Sequence, residues 1–231
     1  MSVEHKATFD DYETSYRDVV QDSVAFSGVS YDYFLRSKAE LMGQLLAARL
    51  PGALPRALDV GCGVGALHPL LAPQCAELHG VDVSAACIER AKADNPGGTY
   101  GVYDGERLPY EDGRFDLVFT ACVMHHVPPD AWPAFAAELK RVTRPGGLVC
   151  VIEHNPLNPA TRLSVMRCPF DEDAVLLRRP TCEAVLKGAG LQDVASRFFV
   201  FVPSTQPWAL RLEKTLAGLP LGAQYAAYGR A

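Results

Sequence analysis

The chain has 231 residues, of which 48% are hydrophobic and 21% charged, and its 22 Lys and Arg against 27 Asp and Glu give a formal net charge of −5. A chain of this size buries roughly 70–75% of its unfolded surface, so one domain, or one domain with a cap, folds without disulfides or a structural metal. The ordinary composition excludes collagenous, coiled-coil and mostly disordered classes, and the acidic balance lacks the basic stripe that a nucleic-acid backbone requires.

The opening MSVEHKATFDDYETSYRD is polar and has no apolar h-region, so no signal peptide is expected. Runs such as LVCVI and FFVFV are strand-sized, far short of a membrane span. The seven cysteines form no CxxC pair, which predicts reduced thiols in a cytoplasmic protein, with neither a zinc ribbon nor a redox dithiol. Residues 1–50 are rich in aromatics, among them Phe9, Tyr12, Tyr16, Phe26 and Phe34, and end in an amphipathic helix from about Tyr31 to Leu50. Too short for a domain, this segment reads as a helical lid; its aromatics either stack on a ligand or only pack the segment down.

Residues 51–231 form the main domain. From Arg56 short β-rich runs alternate with helical patterns, which predicts an α/β fold with a mainly parallel sheet. The expected strands are Arg56–Gly61, Glu77–Asp82, Thr99–Tyr103, Phe115–Ala121 and Leu148–Glu153, with two more over Val194–Val202 and Ala223–Tyr228. Ser84 can cap a helix that buries Ile88 and Ala91. Trp132, Phe135, Ala136, Leu139 and Val142 recur on one face of a helix opened near Asp130, and Arg144-Pro-Gly-Gly147 breaks that pattern. A further helix spans Pro180–Lys187.

The most informative stretch is Ala57-Leu-Asp-Val-Gly-Cys-Gly-Val-Gly-Ala66, a strand running into a glycine turn and a helical pattern. Glycines let backbone approach a ligand closely, and the following helix offers free amides. Gly61-x-Gly63-x-x-Ala66 also fits the dinucleotide fingerprint, and Asp82, 21 residues after Gly61, can accept both hydroxyls of a ribose in either case. Two features separate the readings. Asp59, inside the strand before the glycines, opposes a pyrophosphate and suits an amine-bearing ligand. Asp104, after the third strand, offers an acceptor to an exocyclic amine.

Together with Phe115-Asp-Leu-Val-Phe119 and Arg144-Pro-Gly-Gly, this pattern resembles the class I S-adenosylmethionine-dependent methyltransferases, most closely their small-molecule branch, type 11. The resemblance covers residues 54–153 best and is looser over the lid and the last third. It implies a Rossmann-like sheet of seven strands in order 3-2-1-4-5-7-6, the seventh antiparallel, with helices on both faces. It also implies S-adenosyl-L-methionine as cofactor and S-adenosyl-L-homocysteine as product. Carried over by residue, Gly61, Gly63 and Gly65 cradle the cofactor, Asp59 faces its amine and Asp82 its ribose. Val83 flanks adenine, Asp104 and Gly105 meet the adenine edge, Ala121 contacts the methionine end through backbone, and Tyr16 touches the cofactor carboxylate.

Ligands of parallel α/β sheets sit beyond the carboxyl ends of the strands. Two polar clusters converge there, His125-His126 after the fourth strand and Glu153-His154-Asn155 after the fifth. In-line methyl transfer needs a base only if the acceptor loses a proton as it attacks, and histidine suits that task near neutral pH. His125, His154 and His126 are the candidates; the alternative is that these rings pack or bond to backbone. No three ligands stand at a known metal spacing, so no metal is expected. Residues 155–180 form a proline- and arginine-rich insertion read as a substrate wall. There Arg162, Arg167, Arg178 and Arg179 either clamp an anionic acceptor or pair at the surface with Asp171, Glu172 and Asp173.

The reading is a methyltransferase for a small-molecule acceptor attacking through oxygen, nitrogen or carbon, with no nucleic-acid or membrane partner, as a monomer or homodimer. A nicotinamide-dependent oxidoreductase and a non-catalytic methyltransferase-like binding protein are the alternatives.

Overall fold

A computed structural model describes residues 16–52, 54–202, 204 and 206–231, without the side chains of residues 16, 27, 207, 209, 210 and 214. Phe9 and Tyr12 of the lid, and the side chain of Tyr16, therefore lie outside the described residues.

Two helices lead the chain, α1 (Tyr16–Val24) and α2 (Tyr31–Arg49). Ser30 starts α2 by accepting a hydrogen bond from the Tyr33 amide. Next come β1 (Arg56–Val60), the short α3 (His68–Leu71), β2 (Glu77–Asp82), α4 (Ala85–Asp94), β3 (Thr99–Val102), β4 (Phe115–Ala121), α5 (Trp132–Val142) and β5 (Thr143–His154). The last third holds α6 (Pro159–Arg167), α7 (Arg179–Gly188), β6 (Gln192–Phe199), α8 (Pro207–Leu216) and β7 (Gln224–Arg230).

The sheet runs β3-β2-β1-β4-β5-β7-β6. β1 to β5 pair in parallel, and β7 is antiparallel to both β5 and β6. Order and direction are those the resemblance implies. Ser84 caps α4 as expected, taking the Cys87 amide at 3.0 Å. One expectation needs correcting. Arg144–Gly147 does not sit ahead of β5 but inside it, as an irregularity that shifts register between the Phe115–Thr143 and Leu117–Leu148 pairs. Gly146, at φ +75°, supplies the left-handed residue that such a bulge uses. Helices α6 and α8 were not placed from the sequence; α1 falls within the segment read as a helical lid.

Strand alternation builds two cores. Leu58, Val60, Val118, Val149 and Val151 face α5 and α7, where Phe135, Leu139 and Leu186 are buried. Ala57, Leu117, Phe119, Cys150 and Ile152 face the other way, onto Leu41, Met42, Leu45 and Leu46 of α2. Helix α2 is thus shared: its second half anchors in this core, while its first turns reach over the carboxyl ends of β1 and β4. There the strand order reverses, and crevices form at such switch points. Helix α1 packs against α6 across the same opening.

Candidate active site

β1 ends at Val60, and the chain turns through Gly61, Gly63 and Gly65 at φ +77°, +53° and +70°. The Gly61 and Cys62 amides both donate to the Val81 carbonyl, at 2.8 and 3.0 Å, stitching the turn to β2. The three glycines do different jobs. A Cβ on Gly61 would stand 2.5 Å from Cγ2 of Val123, whereas one on Gly63 would meet nothing within 4 Å. Gly65 does not line the cavity. It lets the turn close on α4, where a Cβ would come within 2.9 Å of Asn95 Nδ2 and 3.3 Å of Ala91.

Asp82 closes β2 and holds this turn. Its carboxylate accepts the Gly63 amide at 2.8 Å and the Ser84 amide at 3.0 Å. Burial pushes its carboxyl upward in pKa, against the pull of those two amides. Asp59, 3% exposed, faces the side of β1 covered by α2 and α3. One of its oxygens lies 3.2 Å from His68 Nε2, and His68 Nδ1 meets the Tyr100 hydroxyl at 2.5 Å. Its other oxygen, Oδ1, is buried with no hydrogen-bond partner.

These groups open onto a cavity of about 330 Å³. Asp59, Gly61, Gly63, Asp82, Val83 and Ala121 line one end of it. The lid contributes Val24, Phe26, Val29 and Phe34, and the insertion contributes Thr161, Ser164 and Phe170. Asp104 and Gly105 stand outside this wall, on the loop after β3. Asp104 is exposed, and its Oδ1 caps its own turn by accepting the Glu106 and Arg107 amides, each at 2.8 Å. Those bonds hold its carboxyl below the usual range. None of Arg162, Arg167, Arg178 and Arg179 lines the cavity. Arg167 instead lies 4.9 Å over the Phe26 ring, and Arg179 reaches Glu183 at 3.8 Å. The arginine clamp for an anion is therefore not what these side chains form.

At the far end the polar clusters after β4 and β5 meet. Glu153, fully buried, accepts the Met124 amide at 2.8 Å through Oε1 and pairs with His125 Nδ1 at 2.6 Å through Oε2. On its other side His125 Nε2 lies 3.2 Å from Asp171 Oδ1, and His126 Nε2 is 3.5 Å from the same oxygen. Burial alone would favour a neutral His125, yet Glu153 and Asp171 outweigh it and hold the ring well above its ordinary pKa. Burial likewise works against the Asp171 carboxylate, but His125 brings it down to about 2. Asp171 was expected, if anything, to pair with surface arginines; it turns inward instead. Both nitrogens of His125 are engaged by carboxylates, so in this arrangement the ring positions its neighbours and has no nitrogen free to act as a general base.

His154 faces the cavity from the opposite side of β5 to Glu153. Burial lowers its pKa, but the adjacent Cys122 thiol, to which it is hydrogen-bonded, more than reverses this. Cys122 sits in the left-handed region at φ +60°. Burial would raise its thiol, and Lys38 and His154 bring it down to about 7. Lys38 Nζ donates to Cys122 Sγ at 3.3 Å, and Gln224 Nε2 does so at 3.4 Å. His68, Lys38 and Gln224 were not singled out from the sequence. Each lies on a different element from the motif it serves, so no local spacing announces it.

A sheet of this order, with a glycine turn between β1 and α3 and an acid ending β2, is the class I methyltransferase fold. Residues 58–151 match a family model described as a methyltransferase domain. An uncharacterized methyltransferase of Synechocystis is 35% identical over 104 residues, 45% of this chain and 49% of the relative. A malonyl-[acyl-carrier protein] O-methyltransferase of Hahella chejuensis is 35% identical over 137 residues, 57% of this chain and 48% of the relative. The chain thus spans about half the length of these curated relatives. Among solved structures, a SAM-dependent methyltransferase of Archaeoglobus fulgidus superposes with TM-score 0.61 at 18% identity, over 87% of this chain and all of that one. Among the described residues no helix is long and apolar enough to cross a membrane.

Proposed function

We propose that the chain is an S-adenosylmethionine-dependent methyltransferase whose acceptor is a small molecule seated between the lid and the histidine end of the cavity. The observation that carries this reading is Asp59 Oδ1, a buried acceptor without a partner beside the glycine turn. A buried polar atom in that state wants a donor, and the ammonium of a methionine moiety is one. The residues present fit the cofactor along its length. Asp59, locked in place by His68, takes the amine. The open face of Gly63 admits the chain of the ligand, Asp82 receives the ribose hydroxyls, and Val83 packs on adenine. Asp104 and Gly105, at the outer rim, are left for the adenine edge, and Ala121 for the methionine end.

When bound, the cofactor supplies an electrophilic methyl group on a sulfonium. The protein's part is positioning and proton handling. The lid side chains Val24, Val29 and Phe34 shield the opening from water and press the acceptor toward β4 and β5. His154, the ring not clamped between two carboxylates, takes the proton of an acceptor hydroxyl or amine. His125 and Glu153 set its surroundings, and His126 leans on Asp171. The lid of residues 1–50 and the wall of residues 155–180 act as the adjustable parts around a fixed sheet.

Titration calorimetry with S-adenosyl-L-homocysteine tests the reading. Micromolar binding is expected for the wild type, and at least tenfold weaker binding for Asp59→Asn. A protein that ignores this ligand but responds to NAD would instead be the oxidoreductase alternative.

A further inference from the structure

His125, His154 and Asp171 each offer one ligand atom, and the three atoms lie within 4.8 Å of one another. They come from three separate elements: the turn after β4, the end of β5, and the loop after α6. We propose that these three side chains hold a divalent transition-metal ion in the acceptor half of the cavity.

The donor set decides the class of ion. Two imidazoles and one carboxylate suit borderline ions such as zinc, cobalt, iron or manganese, and are too nitrogen-rich for magnesium or calcium. Bonds from such an ion are about 2.0–2.2 Å long, which puts ligand atoms at right angles roughly 3 Å apart. His125 Nε2 and Asp171 Oδ1 already stand at 3.2 Å. Bringing the widest pair of the three into range takes a small rotation of side chains that border open space.

The support behind His125 is the second observation. Glu153, with no exposed surface, bonds His125 Nδ1 at 2.6 Å and is itself fixed by the Met124 amide. A carboxylate behind one ring nitrogen keeps the proton there and turns the lone pair of the other outward, the arrangement that metal-binding histidines use. Charge points the same way. Two buried carboxylates are balanced by one dication, and this explains why Glu153 and Asp171 converge beneath the cavity. Asp171 and His154 both line the cavity and keep some exposed surface, so an ion can reach them from it.

The inference deepens the methyltransferase reading and rests on it for its chemical purpose. In the metal-free protein His154 takes the acceptor's proton; with the ion in place His154 is a ligand, and the ion lowers the pKa of an acceptor hydroxyl docked on it. The acceptors favoured are those with an ionisable oxygen, and in that state the proton leaves to water.

The test uses the tag-free full chain, stripped with a chelator and then titrated with cobalt(II). One equivalent is expected to bind, with visible absorption from the metal and a rise in melting temperature. Asp171→Asn and His154→Gln, which conserve volume, are each expected to weaken cobalt binding at least tenfold. Absence of a one-to-one site, or equal binding by both variants, overturns the proposal. S-adenosyl-L-homocysteine is titrated in parallel, so the two readings part company. S-adenosyl-L-homocysteine binding without cobalt binding sinks the metal alone; cobalt binding without S-adenosyl-L-homocysteine binding keeps the metal and removes the methyltransferase.

Discussion

Replacing Asp82 by Ala separates a carboxylate that serves the ligand from one that merely ends a strand. In the structure its two oxygens accept the Gly63 amide at 2.8 Å and the Ser84 amide at 3.0 Å, and each still has lone pairs for a ribose hydroxyl. A hydrogen bond to a charged group contributes about 1.5–3 kcal/mol. Loss of the ribose bonds should therefore weaken S-adenosyl-L-homocysteine binding by about 1.5–3 kcal/mol, a factor of roughly 10–150 in Kd. The two freed amides have a separate effect. The Gly63 amide borders the cavity, where water can replace the lost acceptor, so the cost to stability should stay near the low end, about 1–2 kcal/mol. Calorimetry reads the first quantity, and denaturant unfolding the second. Asp82→Asn, which keeps one acceptor oxygen, should fall between wild type and Ala on both. A folded Asp82→Ala protein whose Kd stays within about twofold of wild type would refute the ribose role, since even one charge-assisted bond is worth more.

Three further outcomes are expected. His154→Gln should lower turnover by roughly 10²–10⁴-fold in the metal-free enzyme while leaving cofactor affinity unchanged; an unaltered kcat would exclude proton transfer at this ring. Gly61→Ala should destabilise the fold by at least about 2 kcal/mol, because Ala resists φ +77° and its Cβ would strike Val123 at 2.5 Å, and a neutral urea midpoint would contradict this. The Glu153–His125–Asp171 chain should also shape stability against pH. Asp171, lowered from 3.8 to about 2, stabilises the fold above its unfolded pKa and loses that contribution as pH falls toward 2. His125, raised above 6.5, contributes fully below 6.5 and less as pH rises through its folded value. The cluster is therefore most stabilising between about pH 4 and pH 6.5, and melting curves of Asp171→Asn should lose the acid limb. An identical acid limb in wild type and variant would show that the chain does not titrate as a unit.

The frame of the sheet, the glycine turn and the two acids beside it can be read from the sequence alone. β1, β2 and β4 are legible because buried parallel strands leave short unbroken apolar runs, and the glycine turn because positive φ demands glycine at fixed spacing. Asp59 and Asp82 follow from those strands, since each sits at a strand end whose position the pattern already gives. The functions of Gly65 and Asp104 were less accessible: whether a glycine faces a ligand or a helix, and whether an acid caps its own turn, depends on what lies across the loop. The histidine end was decided only by tertiary structure. His125 lost its candidacy as a base because Asp171, 46 residues later, closes on its free nitrogen. Lys38, from a helix that precedes the whole sheet, reaches the thiol of Cys122. Local patterns report periodicity and backbone needs, whereas the protonation and reach of a buried side chain are set by groups that only folding brings within 4 Å.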